Sequence, residues 1–167
     1  MARVLTRVAR KDYPSEGIVK GDTYYKVSLK TGPRSSRTLR SKTPFKRHQL
    51  TSSDYLQRVY IIADETVPAI TCPDDVQSLK DEIEEIKSEL EEKLENMPEG
   101  LREGSTGQML QERMDECDDF LQSLEGLEFM EEHEWEETER EDEDEIAAGY
   151  AGHVASIVEE IQGFCPF

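Results

Sequence analysis

Three histidines, three cysteines and a surplus of carboxylates are the residues from which a reactive centre in this chain would have to be built. His133 has Glu137 four residues on, a helical spacing that offers a divalent cation two ligands. In a run this dense in acids, such a pair has no selectivity. A di-iron bundle needs a Glu three residues before each His, and Met130 and Tyr150 fill those positions ahead of His133 and His153. Cys72, Cys117 and Cys165 lie 45 and 48 residues apart, matching neither a zinc nor a CxxC pattern, and their odd number fits reduced thiols. The sequence holds no Gly-rich phosphate loop, no HExxH and no Ser/His/Asp ordering. The expectation is no catalytic residue, no metal site and no cofactor: a protein that binds and is not an enzyme.

The residues with binding chemistry are sorted by position. Residues 1–58 carry 14 Lys/Arg against 4 Asp/Glu, a net of +10, and residues 59–167 carry 6 against 34, a net of −28. A split of this size points to a charged partner, or to halves that screen each other. In the basic part, Lys20, Lys26, Arg34, Arg37, Arg40, Lys42, Lys46 and Arg47 surround Tyr24 and Tyr25. Cations that track phosphates beside rings that stack on bases are the equipment of a single-strand nucleic-acid platform. The competing reading makes the tyrosines the core of a small sheet and the cations its solvated edge. In the acidic part, Glu131 to Glu145 holds 11 acids in 15 residues. There Glu131, Glu132, Trp135, Glu136 and Glu137 would offer a basic host protein a surface resembling nucleic-acid phosphates, and otherwise a solvated, like-charged run.

The elements that position these residues follow from pattern. Apolar residues are 35% of the 167, against about 45–50% in ordinary domains. One large core is therefore not expected. An α+β chain is: a small antiparallel hairpin or sheet with one helix, then an antiparallel helical hairpin, an acidic tail and a terminal helix. Residues 1–66 form the basic module. Thr23 to Leu29 favours a strand, Thr31-Gly32-Pro33-Arg34 a turn, and Ser36 to Ser41 the returning strand, with Arg34 and Arg40 on one face and Arg37 on the other. A helix over about 52–65 opens on a Thr51/Asp54 capping box. Residues 67–73, with Pro68 and Pro73, read as a linker.

Residues 74–127 read as the helical hairpin. Val76, Leu79, Ile83, Ile86, Leu90 and Leu94 form one seam, and Leu110, Met114, Cys117, Leu121 and Leu124 the other, at steps of three and four. Pro73 starts the first helix, and Ser105 with Gln108 caps the second. So charged a hairpin is expected to need a further surface, a second copy being the favoured one. Residues 128–145 are acidic low-complexity sequence, and 146–167 an amphipathic helix and tail. No apolar run near Met1 serves as a signal peptide and none approaches the length of a membrane span, so no membrane association is expected.

Several strings resemble a family of small proteins encoded by bacteriophages and related mobile elements, which carries no assigned activity. They are Ala9-Arg10-Lys11-Asp12-Tyr13-Pro14, Gly17 to Tyr25, Arg40-Ser41-Lys42-Thr43-Pro44, Gln49-Leu50-Thr51, Glu91 to Leu101 and Gly107 to Arg113. Where that family has tryptophans and a second glycine after the tyrosines, this chain has Lys26, Val27 and Ser28. The resemblance implies a phage context and the host bacterial cytoplasm, with the virion as the other location. The expected function is a non-catalytic accessory or adaptor protein whose basic module binds nucleic acid and whose acidic coiled coil mediates association, including with itself. The alternatives are an acidic DNA-mimic-like inhibitor of a host defence or DNA-binding protein, and a virion or assembly component.

Overall fold

In the computed structural model the fold is α+β, and residues 3–130 and 143–166 are described. The chain divides into two compact units, 1–61 and 62–167. The residues between the charge boundary at 58 and the unit boundary at 61 are uncharged, so the +10 and −28 segments coincide with the two units.

The first unit is a three-stranded antiparallel sheet followed by a short helix. Strands β1 (Leu5–Val8), β2 (Thr23–Lys30) and β3 (Ser36–Ser41) lie in the order β1-β2-β3. The loop from 9 to 22 between β1 and β2 is tied down by its own polar groups. Ala9 and Gly21 exchange backbone bonds with the 21–22 turn and Ala9, at 2.8 Å each, and Tyr13 and Ile18 bond each other in both directions. Asp12 accepts from the Lys20 N–H at 2.7 Å. Gly17 and Gly21 supply the positive φ values, 65° and 98°, that these turns require and that a Cβ would disfavour. Ala9, Ile18 and Tyr24 form a small buried cluster with the Tyr13 ring packed on it, 5.8 Å from the ring of Tyr24. A tight turn at Arg47–Leu50 leads to α1 (Asp54–Ile61), on which Tyr55 and Val59 are buried.

The expected capping at α1 is corrected in detail. Ser53, not Thr51, offers its hydroxyl to the Leu56 N–H, while Thr51 accepts from the Ser53 N–H one step earlier. The helix is also shorter than 52–65. After Ile61 the chain forms a π-helical turn, Ile62–Thr66, and a 3₁₀ turn, Val67–Ala69.

Residues 67–73 are not a free linker. Val67 and Ile70 are buried in the second unit, so the prolines shape a packed turn instead of a tether. Helix α2 (Pro73–Glu95) starts with Pro73 at its first position, and Asp75 reaches back to accept from the Thr71 and Cys72 N–H groups. A short α3 (Glu99–Arg102) makes the tip, and α4 (Ser105–Glu125) returns against α2. Ser105 is the first residue of α4, not its cap: Gly104 caps, through its carbonyl, which accepts from the Gln108 N–H.

Val76, Leu79, Ile83, Ile86, Leu90, Leu110, Cys117 and Leu124 are buried, whereas Leu94, Met114 and Leu121 are half-buried. The buried row of α4 keeps Leu110, Cys117 and Leu124 of the expected seam. Gly107 and Phe120 are buried as well, Gly107 where a Cβ would strike the Arg102 backbone of α3. Helix α5 (Glu143–Phe164) buries Ile157 and Ile161, and the Phe164 ring meets Phe120 edge-on at 5.8 Å. This helix provides part of the cover that the sequence assigned to a second copy. It also begins before residue 146, where the terminal helix was expected. No helix among the described residues is long and apolar enough to cross a membrane.

Candidate polyanion-binding face

Side chains directly opposite in an antiparallel ladder share a face, so the register sorts the cations of the first unit. Leu5 pairs with Lys26 and Arg7 with Tyr24; Lys26 pairs with Arg40, Ser28 with Thr38, and Lys30 with Ser36. One face therefore carries Arg7, Lys26, Lys30 and Arg40 together with Ser28, Ser36 and Thr38, and no strand residue on it is acidic. The other face carries Tyr25, Val27, Leu29, Leu39 and Arg37. Arg37 is thus separated from the other strand cations, as the alternation implied. Arg34 is not on a strand at all: it lies in the loop between β2 and β3.

The expected site residues divide by what they already hold. Tyr24 is buried, so its ring is core and not a stacking surface, and Tyr25 is half-buried on the opposite face. Arg40 lies 4.5 Å over the Tyr13 ring and donates to Glu16 at 3.4 Å. The Ser15 hydroxyl and then Arg40 hold the Glu16 carboxyl below its ordinary value. Lys42 pairs with Asp22 at 2.8 Å; that bond and the Val19 N–H lower the Asp22 carboxyl. Arg40 and Lys42 are therefore brackets for the 9–22 loop. Arg47 sits 4.3 Å over the Tyr60 ring, Lys46 starts the neighbouring turn, and Lys20 lies in the tied loop. The strings behind the family resemblance, Asp12-Tyr13, Gly21-Asp22, Tyr24, Arg40 and Lys42, are thus used to build the unit.

On this face Lys26, Lys30 and Arg7 remain. Among the described residues these three take part in no ion pair, and neither do Arg3, Arg10, Lys11, Lys20, Arg34 and Arg37. Lys26 stands directly opposite Arg40, whose charge Glu16 already answers, so Lys26 is the member of the pair with no carboxylate partner among the described residues. Ser28 and Thr38 share a hydrogen bond at 3.5 Å beside it, a pair of hydroxyls of the kind that contact phosphate oxygens. Arg7 and Lys30 were missed from sequence. The period-two step from Lys26 to Lys30 was a usable signal, but the placement of Arg7 beside them needed the β1 register.

In the second unit the acids are exposed along the outer sides of α2 and α4, with few cations to answer them. Lys87 bonds Asp118 at 2.6 Å across the hairpin, which raises its pKa, and Lys93 bonds Glu89 at 3.3 Å. Burial pushes the Cys117 thiol up to about 11, so it is an inert core group. His153 accepts from the Met130 N–H at 3.2 Å and meets the Phe129 ring, a packing role. The surface expected at Glu131, Glu132, Trp135, Glu136 and Glu137 lies outside the described residues. No cluster of His, Cys, Asp and Glu suited to a metal ion occurs among the described residues.

The geometry defines a class before anything else: a cationic three-stranded sheet and an acidic helical hairpin as separate compact units. Comparison with family models, with curated proteins and with solved structures returns no match.

Proposed function

We propose that this is a non-catalytic accessory protein whose first unit binds the phosphate backbone of nucleic acid through the face bearing Arg7, Lys26 and Lys30. The observation that carries the reading is the placement of Arg7, Lys26 and Lys30 on one face of the sheet, with the Ser28 and Thr38 hydroxyls beside them. A face of cations and hydroxyls with its tyrosine buried favours contacts that hold phosphates over contacts that read bases. Binding is then electrostatic and tolerant of sequence. The phage context and host cytoplasm rest on the motif resemblance alone. The test is an anisotropy titration of a labelled duplex with the wild type and with the Arg7→Ala, Lys26→Ala, Lys30→Ala triple variant. Saturable binding by the wild type and its loss in the variant are expected; equal binding by both removes the proposal.

A second reading is favoured by the −28 of the acidic part, whose exposed carboxylates on α2 and α4 would occupy the DNA groove of a basic host protein. It predicts that the chain displaces DNA from such a protein. Reversing Glu84, Glu92, Glu112 and Asp119 to Lys should abolish the displacement, and displacement that persists rejects this role.

A further inference from the structure

Strand order β1-β2-β3 leaves the outer side of β1 without a neighbouring strand among the described residues. The phase of the backbone shows which groups line that edge. The Ala9 N–H donates to the Asp22 carbonyl on the β2 side, at 2.8 Å. Backbone groups of successive strand residues point to opposite sides, so Arg7 and Leu5 also bond towards β2, while Val8 and Thr6 turn their N–H and C=O groups outward. The side chains of Thr6 and Val8 share a face, and Val4, just before the strand, continues that alternation. Val8 is 63% exposed and Val4 37%, and β3, the other edge, has no exposed large apolar side chain. Arg3, Arg7 and Arg10 flank the valines, residues 3–10 hold no carboxylate, and these arginines take part in no ion pair among the described residues. A second copy would bring its own three arginines to the same edge, and like charges side by side disfavour that pairing.

We infer that β1 takes a fourth strand from an acidic partner protein, an extended segment in which apolar residues alternate with Asp or Glu. Its backbone bonds Thr6 and Val8, its apolar side chains pack against Val4 and Val8, and its carboxylates stand beside Arg3 and Arg7. The charges fit the pairing geometry. A residue opposite Arg7 falls in a non-hydrogen-bonded pair, where Cα atoms approach to about 4.5 Å and side chains are closest. In strand addition of this kind the main-chain bonds supply affinity and the alternate side chains supply selectivity. The inference does not rest on the phosphate-binding reading: phosphates lie across the flat of the sheet and the strand along its edge, with Arg7 common to both.

The test uses the full chain and the fluorescence anisotropy of a labelled short peptide of alternating valine and glutamate, with a valine–lysine peptide as its counterpart. The wild type should bind the acidic peptide saturably and the basic one about tenfold or more weakly. The peptide's valines share the face of Thr6 and Val8 and so supply the inward N–H groups. N-methylation of the valines should therefore weaken binding about tenfold or more, and N-methylation of the glutamates should leave it intact. Thr6→Pro removes an outward N–H and no bond to β2, so it should weaken the peptide about tenfold or more with duplex affinity unchanged. Far-UV circular dichroism reads whether this variant folds, and the methylated peptides decide the matter if it does not. Peptide binding with no duplex binding leaves the inference standing and rejects the phosphate-face reading. Equal binding of the two peptides, equal effects of the two methylations, or no saturation by about millimolar acidic peptide overturns the inference. Peptide binding lost in Lys26→Ala and Lys30→Ala but kept in Thr6→Pro overturns it too, by moving the peptide to the phosphate face. So does a wild-type dimer in sedimentation that Thr6→Pro dissolves, which makes the edge a contact between copies.

Discussion

Replacing Lys26 by alanine is the most informative single change. Lys26, Lys30 and Arg7 share one face and make no ion pair among the described residues, so each is available to one phosphate. With these three contacts, the affinity for duplex DNA should fall with salt at a log–log slope of about −2.7. Between about 50 and 200 mM salt that slope amounts to roughly a 40-fold loss. Removing Lys26 should bring the slope to about −1.8 and the loss to roughly 12-fold. Arg37 lies on the opposite face and Lys42 is held by Asp22, so Arg37→Ala and Lys42→Ala should leave the slope near that of the wild type. Fluorescence anisotropy of a labelled duplex across a salt series measures all four proteins. A slope near zero refutes the electrostatic reading. Equal loss of slope from Lys26→Ala and Arg37→Ala refutes the assignment to one face.

Three further outcomes concern the second unit. A Cβ on Gly107 would stand 1.9 Å from the Arg102 carbonyl oxygen, so Gly107→Ala must push α3 away from α4. A loss of about 3 kcal/mol is expected for backbone overpacking of this kind, read as a lower denaturation midpoint; an unchanged midpoint contradicts the tip geometry. Cys117, buried and with its thiol pushed up to about 11, should resist a thiol reagent at pH 8 until the chain is unfolded, while the half-buried Cys72 and Cys165 react first. Mass mapping of the native adduct checks the order. Asp75 is held below its ordinary value of 3.8 chiefly by the backbone N–H and hydroxyl of Thr71. Its contribution is complete above that value and is lost as pH falls through the lower folded one. Asp75→Asn should thus cost about 1 kcal/mol near neutrality, and its stability should converge with the wild type in acid; a constant gap across the pH range excludes the capping role.

The correction at α4 shows what periodicity alone leaves open. Steps of three and four from Leu110 fit a row through Leu121 as well as one through Phe120, because neighbouring positions on a helix differ by only about 100°. Leu110, Cys117 and Leu124 are buried as the steps imply, and Phe120 joins them where the Phe164 ring meets it, a contact that no local pattern announces. The turn at 67–70 misled for a related reason. Prolines mark where a helix must stop, but not whether the interrupted chain is then packed, and Val67 and Ile70 are buried.

The division of the chain falls at 61/62 and not at the expected linker over 67–73. From its residues alone this chain declared its α+β class, the β2–β3 hairpin, the helical hairpin and the opposite charge of its two parts. Those properties are set by composition, by the alternation of side chains and by turn-forming residues, all of them local along the chain. Tertiary structure decided which cations are engaged and which are open. Arg40 and Lys42 look no different from Lys26 and Lys30 in sequence, yet the first pair is held by Glu16, Tyr13 and Asp22 while the second is not. Electrostatic partnership depends on distances of a few ångströms across strands and loops many residues apart, and only folding fixes those distances.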